Sequence, residues 1–127
     1  MAATRGFTGL QVYKLSETLA DEIWEIVACW DGFAKSTVGS QIIRAADSIG
    51  ANIAEGTGRG AFQDNRRFVK IARASLYETR HWLRRAYRRR LISSDHVARI
   101  KTLLGELAPR LNAYLRSIGP QPSPTKD

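Results

Sequence analysis

The chain has 127 residues, a mass of 14.2 kDa and a formal net charge of +8, from 20 Lys and Arg against 12 Asp and Glu. That size suits one domain, and surface scaling hides about two-thirds of the unfolded chain's area, enough for a real core. With 43% hydrophobic and 25% charged residues the composition disfavours intrinsic disorder, and the longest apolar run falls far short of the ~20 residues that cross a bilayer.

Residues 1–7 carry one base, Arg5, with no apolar stretch behind it, so no secretory signal is expected. The single cysteine, Cys29, can form neither an intrachain disulfide nor a cysteine-based zinc site. A cytoplasmic location is expected, with no membrane partner. Residues 1–9 are expected to fray. From Leu10 onward Leu15, Leu19, Ile23, Ile26, Val27 and Trp30 keep the rhythm of one helical face, and this first helix is expected to end near Asp31 and Gly32. A short second helix follows, with Ile42, Ala46, Ile49, Ile53 and Ala54 on one side. The Gly56, Gly58 and Gly60 segment ends it, glycine being suited to a left-handed cap. Its opposite side holds a polar stripe, Gln41, Arg44, Ser48, Asn52 and Glu55, expected to serve structure or an interface.

The third helix is predicted to open at Asp64 as N-cap and to bury Phe68, Ile71, Ala72, Ser75, Leu76, Thr79, Trp82, Leu83 and Ala86. The fourth begins at Ser93 or Ser94 and repeats Val97, Ile100, Leu104, Leu107, Leu111, Tyr114 and Ile118 at alternating steps of three and four. Pro109 should kink it without breaking it, because the apolar phase continues on both sides. No period-two alternation reads as a strand, so the class is all-α, an up-and-down four-helix bundle over residues 10–118. The proline-rich residues 119–127 read as a disordered tail.

Charge is uneven along this plan. Residues 59–90 hold eleven bases, ten of them arginine, against Asp64 and Glu78, a surplus of nine. Residues 10–31 are acidic, with Lys14 opposed by Glu17, Asp21, Glu22, Glu25 and Asp31. Arg66, Lys70, Arg73, Arg80, Arg84 and Arg88 fall within about 40° of one line along the third helix, a stripe about 33 Å long. That line is expected to lie diametrically opposite the core. Arginine matches phosphate geometry well, and like charges four residues apart repel, so the stripe calls for an anionic partner. RNA or DNA phosphates fit, bound through the backbone with little sequence preference. A solvated face, or contact with the acidic first helix of another subunit, is the alternative.

Other chemistry is weakly supported. Glu78 and His81 have the Glu-x-x-His spacing of carboxylate-bridged metal sites, but the pattern occurs once where such a site needs two. The Gly56–Ala61 run imitates a dinucleotide loop without the strand that must precede it. No nucleophile has a base and orienter at recognisable spacing. No metal, cofactor, small-molecule substrate or catalytic role is expected.

The run from Gln41 to Arg59, with Asn52-Ile53-Ala54-Glu55-Gly56-Thr57-Gly58-Arg59 at its centre, resembles the hallmark of the bacterial 23S rRNA-intervening-sequence protein family. Leu10, Val12 and Tyr13 near the start agree with it, as do Phe68, Ala72, Ser75, Leu76 and Glu78 in the third helix; the likeness covers about residues 7–118. It implies a four-helix up-and-down protomer and a homopentameric ring. The arginine-rich third helix departs from ordinary members and is closer to the similar accessory variability determinant proteins of diversity-generating retroelements. Those form basic pentamers that bind nucleic acid and assist a reverse transcriptase. The resemblance thus adds a homo-oligomer and a reverse transcriptase to the expected partners.

Overall fold

A computed structural model describes the backbone of residues 2–120 and the side chains of residues 9–120. The described residues form four helices and no strand: α1 (Ala2–Ala28), α2 (Gly32 to Thr57), α3 (Phe62–Arg88) and α4 (Ser94–Ser117). Each packs on two others, α1 and α3 both touching α2 and α4, which closes a ring of antiparallel neighbours joined by short loops. Leu19, Ile23, Ile49, Ile53, Leu76, Ile100, Leu107 and Leu111 fill the centre, each almost wholly buried.

α1 begins at Ala2, upstream of Leu10, so the backbone is helical where fraying was expected. Gly9 is drawn against α4, where an added Cβ would stand 3.0 Å from the Tyr114 ring. Most of the expected proline-rich tail, residues 121–127, lies outside the described residues, as do the side chains of residues 1–8.

The second helix is not short. After α1 ends at Ala28, Asp31 caps the next helix by accepting from the Ala34 N–H at 2.9 Å. The chain then runs without a break through an α-helical turn (Gly32–Ala34), a π-helical turn (Lys35–Gly39) and the main body (Ser40–Thr57). Its first turns bury only Ala34, Val38 and Gly39, and Phe33 is 79% exposed, so no apolar period betrays them. At the other end Gly58 is right-handed, with φ −77°. None of the described glycines is left-handed, and in this segment Gly56 serves closeness rather than a left-handed cap. A Cβ on Gly56 would stand 2.5 Å from Asn65 Oδ1 and 3.1 Å from the Asn65 carbonyl, so α2 and the start of α3 touch backbone to side chain there.

α3 opens two residues before Asp64. Ala61 occupies the cap position with no side-chain bond, and Asp64 sits in the first turn, where its charge suits the positive end of the helix, 3.7 Å from Arg67. The one left-handed residue among those described is Arg90, with φ 61°. It closes α3 in a Schellman turn, Leu91 N–H donating to the Ala86 carbonyl at 2.9 Å and Arg90 N–H to Tyr87 at 3.0 Å. Arginine bears a Cβ penalty in this conformation that glycine avoids. Arg90→Gly is expected to stabilise the fold by about 1 kcal/mol, measured as a rise in the thermal midpoint.

α4 follows its expected register. Ser93 caps it by accepting from the His96 N–H at 3.1 Å, and Val97, Ile100, Leu104, Leu107, Leu111, Tyr114 and Ile118 are all buried. The helix passes through Pro109 unbroken.

Candidate nucleic-acid interface

The basic stripe is built on α3, whose orientation differs from the wheel expectation. Val69, Ala72, Leu76, Thr79, Leu83 and Ala86 are buried, whereas Phe68 and Trp82 are half-buried and Ile71 is 39% exposed. The true core line lies about 110° from the stripe rather than opposite it. Large side chains drew the expected line toward the α2 edge, but Phe68 instead supports two guanidinium groups, Arg67 at 4.5 Å and Arg59 at 4.9 Å from its ring centre. The stripe consequently turns toward α4.

That rotation divides the six cations. Arg66 is half-buried, and its Nη1 donates to the carbonyls of Leu115 at 2.7 Å and Ile118 at 3.1 Å, satisfying the free carbonyl end of α4. Arg73 is half-buried too, with Nη1 donating to Asn112 Oδ1 at 3.2 Å. Arg66 is therefore engaged as a helix cap, and Arg73 is partly committed to α4. Lys70, Arg84 and Arg88 are exposed and Arg80 is half-exposed. Among the described residues these four have no carboxylate partner, the ion pairs being Arg59 with Glu55, Arg67 with Asp64 and Arg99 with Glu22.

Residues outside the expected stripe join the free cations. Arg85, Tyr87, Arg90 and Ser93 line the end of α3 beside Arg84 and Arg88, and Lys101 reaches the α3–α4 edge from α4. Six arginines from Arg80 to Arg90 thus crowd the last turns of α3 and the turn that closes it. The negative end of the helix dipole offsets part of their mutual repulsion, so they can persist without carboxylates. Lys101 carried no signal in the sequence, since its nearness to Arg80 depends on how α3 and α4 are set side by side.

The polar stripe of α2 reaches α3 at one place. Ser75 Oγ donates to Ser48 Oγ at 2.9 Å, and Asn52 Nδ2 donates to Ser48 Oγ at 3.0 Å and to its carbonyl at 2.8 Å. Glu55 pairs with Arg59 across one helical turn, and Arg44 is exposed beside Trp24 and Ile43. Gln41 is half-buried. Only Ser48, braced by Asn52, ties α2 to α3 through this stripe. Glu78 is likewise engaged, accepting from Trp82 Nε1 at 3.1 Å, and the described residues contain no group of three metal-ligating side chains.

The α1–α2 edge, across the bundle from the arginines, is acidic. Glu17, Asp21 and Asp47 border a cleft of about 300 Å³ floored by Ala20, Ala46 and Gly50. Burial, with Asp21 nearby, raises the Asp47 carboxyl above its ordinary value, and the Glu17 carboxylate raises the Tyr13 phenol.

The model of the 23S rRNA-intervening sequence protein family matches residues 8–113. The chain belongs to this family. A solved structure similar to it, of a protein with unknown function from the S23 ribosomal protein family of Bacteroides thetaiotaomicron VPI-5482, superposes with a TM-score of 0.77. The two share 23% identity over 87% of this chain and 99% of that one, a likeness of fold. No curated protein matches the chain significantly. No helix among the described residues is long and apolar enough to cross a membrane.

In this member of the 23S rRNA-intervening sequence protein family the acidic edge can be probed by itself. A carboxyl whose folded value is raised weakens the fold once it ionises, so the penalty is present at neutral pH and disappears below the ordinary aspartate range. Asp47→Asn is expected to raise the thermal midpoint at pH 7, and that gain is expected to shrink to nothing as melts are taken down toward pH 3.

Proposed function

We propose that this chain is a non-enzymatic, cytoplasmic nucleic-acid-binding bundle that holds RNA or DNA by its phosphates along the α3–α4 edge. Lys70, Arg80, Arg84 and Arg88 make the contacts, Lys101 adds one from α4, and Arg73 contributes from its place beside Asn112. The observation that carries this reading is the row of stripe cations that face outward with no carboxylate among the described residues. A polyanion is the partner that relieves such crowding most completely, through bidentate contacts and release of condensed counterions. The test is the salt dependence of binding. If roughly four to six phosphates are neutralised, affinity for RNA or duplex DNA is expected to fall about a hundredfold to a thousandfold between 50 and 200 mM salt. Absence of any retention at low salt would refute the reading.

The resemblance to accessory variability determinant proteins extends the proposal to a homopentamer that serves a reverse transcriptase. Light scattering coupled to size exclusion should then give five times 14.2 kDa. The opposed acidic and basic edges favour a second reading, in which they meet between copies and no nucleic acid is bound. That reading predicts subunits that separate as salt is raised. It leaves most of the charge unexplained, because Glu17, Asp21 and Asp47 cannot balance a surplus of nine on residues 59–90.

A further inference from the structure

We infer that the groove between α3 and α4 receives an unpaired base of a single-stranded nucleic acid, an inference that rests on the phosphate-binding reading and makes its ligand specific. The groove encloses about 570 Å³, within the range of sites that hold small organic groups. Its floor is apolar: Leu83, Val97 and Leu104 are between 2% and 9% exposed. Arg80 and Arg84 stand on the α3 wall and Lys101 on the α4 wall, while the half-exposed ring of Tyr87 lies at the groove.

Cations around an apolar floor suit a ligand with an anionic strand and a flat, weakly polar body. A duplex presents the first and hides the second, since its bases are stacked and paired. An unpaired strand presents both, with its phosphates on the arginines and lysine and a base lodged between the helices, where aromatic and guanidinium planes can stack on it.

Gly105 supplies an independent argument. It lies inside α4, where glycine weakens a helix relative to alanine. A Cβ there would meet nothing within 4 Å, so packing does not require its absence. What its absence does is leave the α4 wall of the groove open.

The experiment compares three fluorescent probes at one fixed salt concentration: a short single-stranded RNA, the same strand paired to its complement, and a single strand of abasic nucleotides with equal phosphates. The single strand is expected to bind about tenfold more tightly than the other two. Gly105→Leu, which fills the opening, and Tyr87→Ala, which removes an exposed ring, are each expected to collapse that preference toward one, with helicity and thermal midpoint checked by circular dichroism. Equal affinity for all three probes, or a preference that survives both substitutions, overturns the groove inference and leaves phosphate binding standing. Failure of every probe to bind overturns both.

Discussion

Reversing Arg80, Arg84 and Arg88 together to glutamate is expected to reduce nucleic-acid affinity by at least about a hundredfold at low salt. Three contacts are lost, and three carboxylates repel the same phosphates. These residues lie outside the core: Arg84 and Arg88 are exposed, Arg80 is half-exposed, and the apolar side of α3 is carried by Val69, Ala72, Leu76 and Leu83. The helix should survive. Acidic groups near its C-terminal end are each unfavourable by about 0.3–1 kcal/mol, while new pairing of position 88 with Arg85, one turn back, works in the other direction. The measurements are anisotropy titrations beside far-ultraviolet circular dichroism. A folded triple variant that binds as tightly as the parent would remove the basic edge from consideration.

Arg66→Met is expected to act in the opposite sense, on stability first. The guanidinium holds the carbonyls of Leu115 and Ile118 at the end of α4, and methionine keeps the stem while removing both donors. The Leu115 carbonyl keeps the Ile118 N–H at 3.2 Å, so the loss falls mainly on the Ile118 carbonyl and costs about 1–2 kcal/mol, which for a chain of this size lowers the thermal midpoint on the order of 5 °C. Affinity of the folded variant for nucleic acid should change far less than in the triple reversal. A variant that melts like the parent would show that water replaces the guanidinium at these carbonyls without loss.

The contrast between Arg66 and Arg84 shows how much of the candidate site could be read in advance. Both lie on one line of α3, both are arginines in a run of like charge, and at 100° per residue they coincide. What separates them is the neighbour. Arg66 sits beside the end of α4, whose Leu115 and Ile118 carbonyls it reaches, and Arg84 sits beside the start of α4, where a groove opens instead. Lys101 and Gly105 belong to the same class of fact, since residues on different helices become a site only when the helices are laid together.

The helices themselves were legible wherever burial was periodic. α4 reads from Val97 to Ile118 without an error of phase because every third or fourth residue is a large aliphatic or Tyr114 that must leave water. The start of α2 was not legible, because residues 32–39 bury little and are held by the Asp31 cap and a π-helical turn. α3 misled in angle, since Phe68 and Trp82 are hydrophobic enough to suggest a core position yet large enough to remain half outside.

By itself the order of residues determined the all-helical class, the number of helices, the seam of α4 and the concentration of positive charge on α3, because periodic burial and net charge are properties of a single segment. Tertiary structure alone decided the rotation of α3, the reach of Arg66 into α4, the Ser48–Ser75 link and the groove bounded by Arg80, Arg84 and Lys101. Each of those depends on the distance between segments far apart in the chain, which is set by how side chains of unequal size interlock, and no local pattern records it.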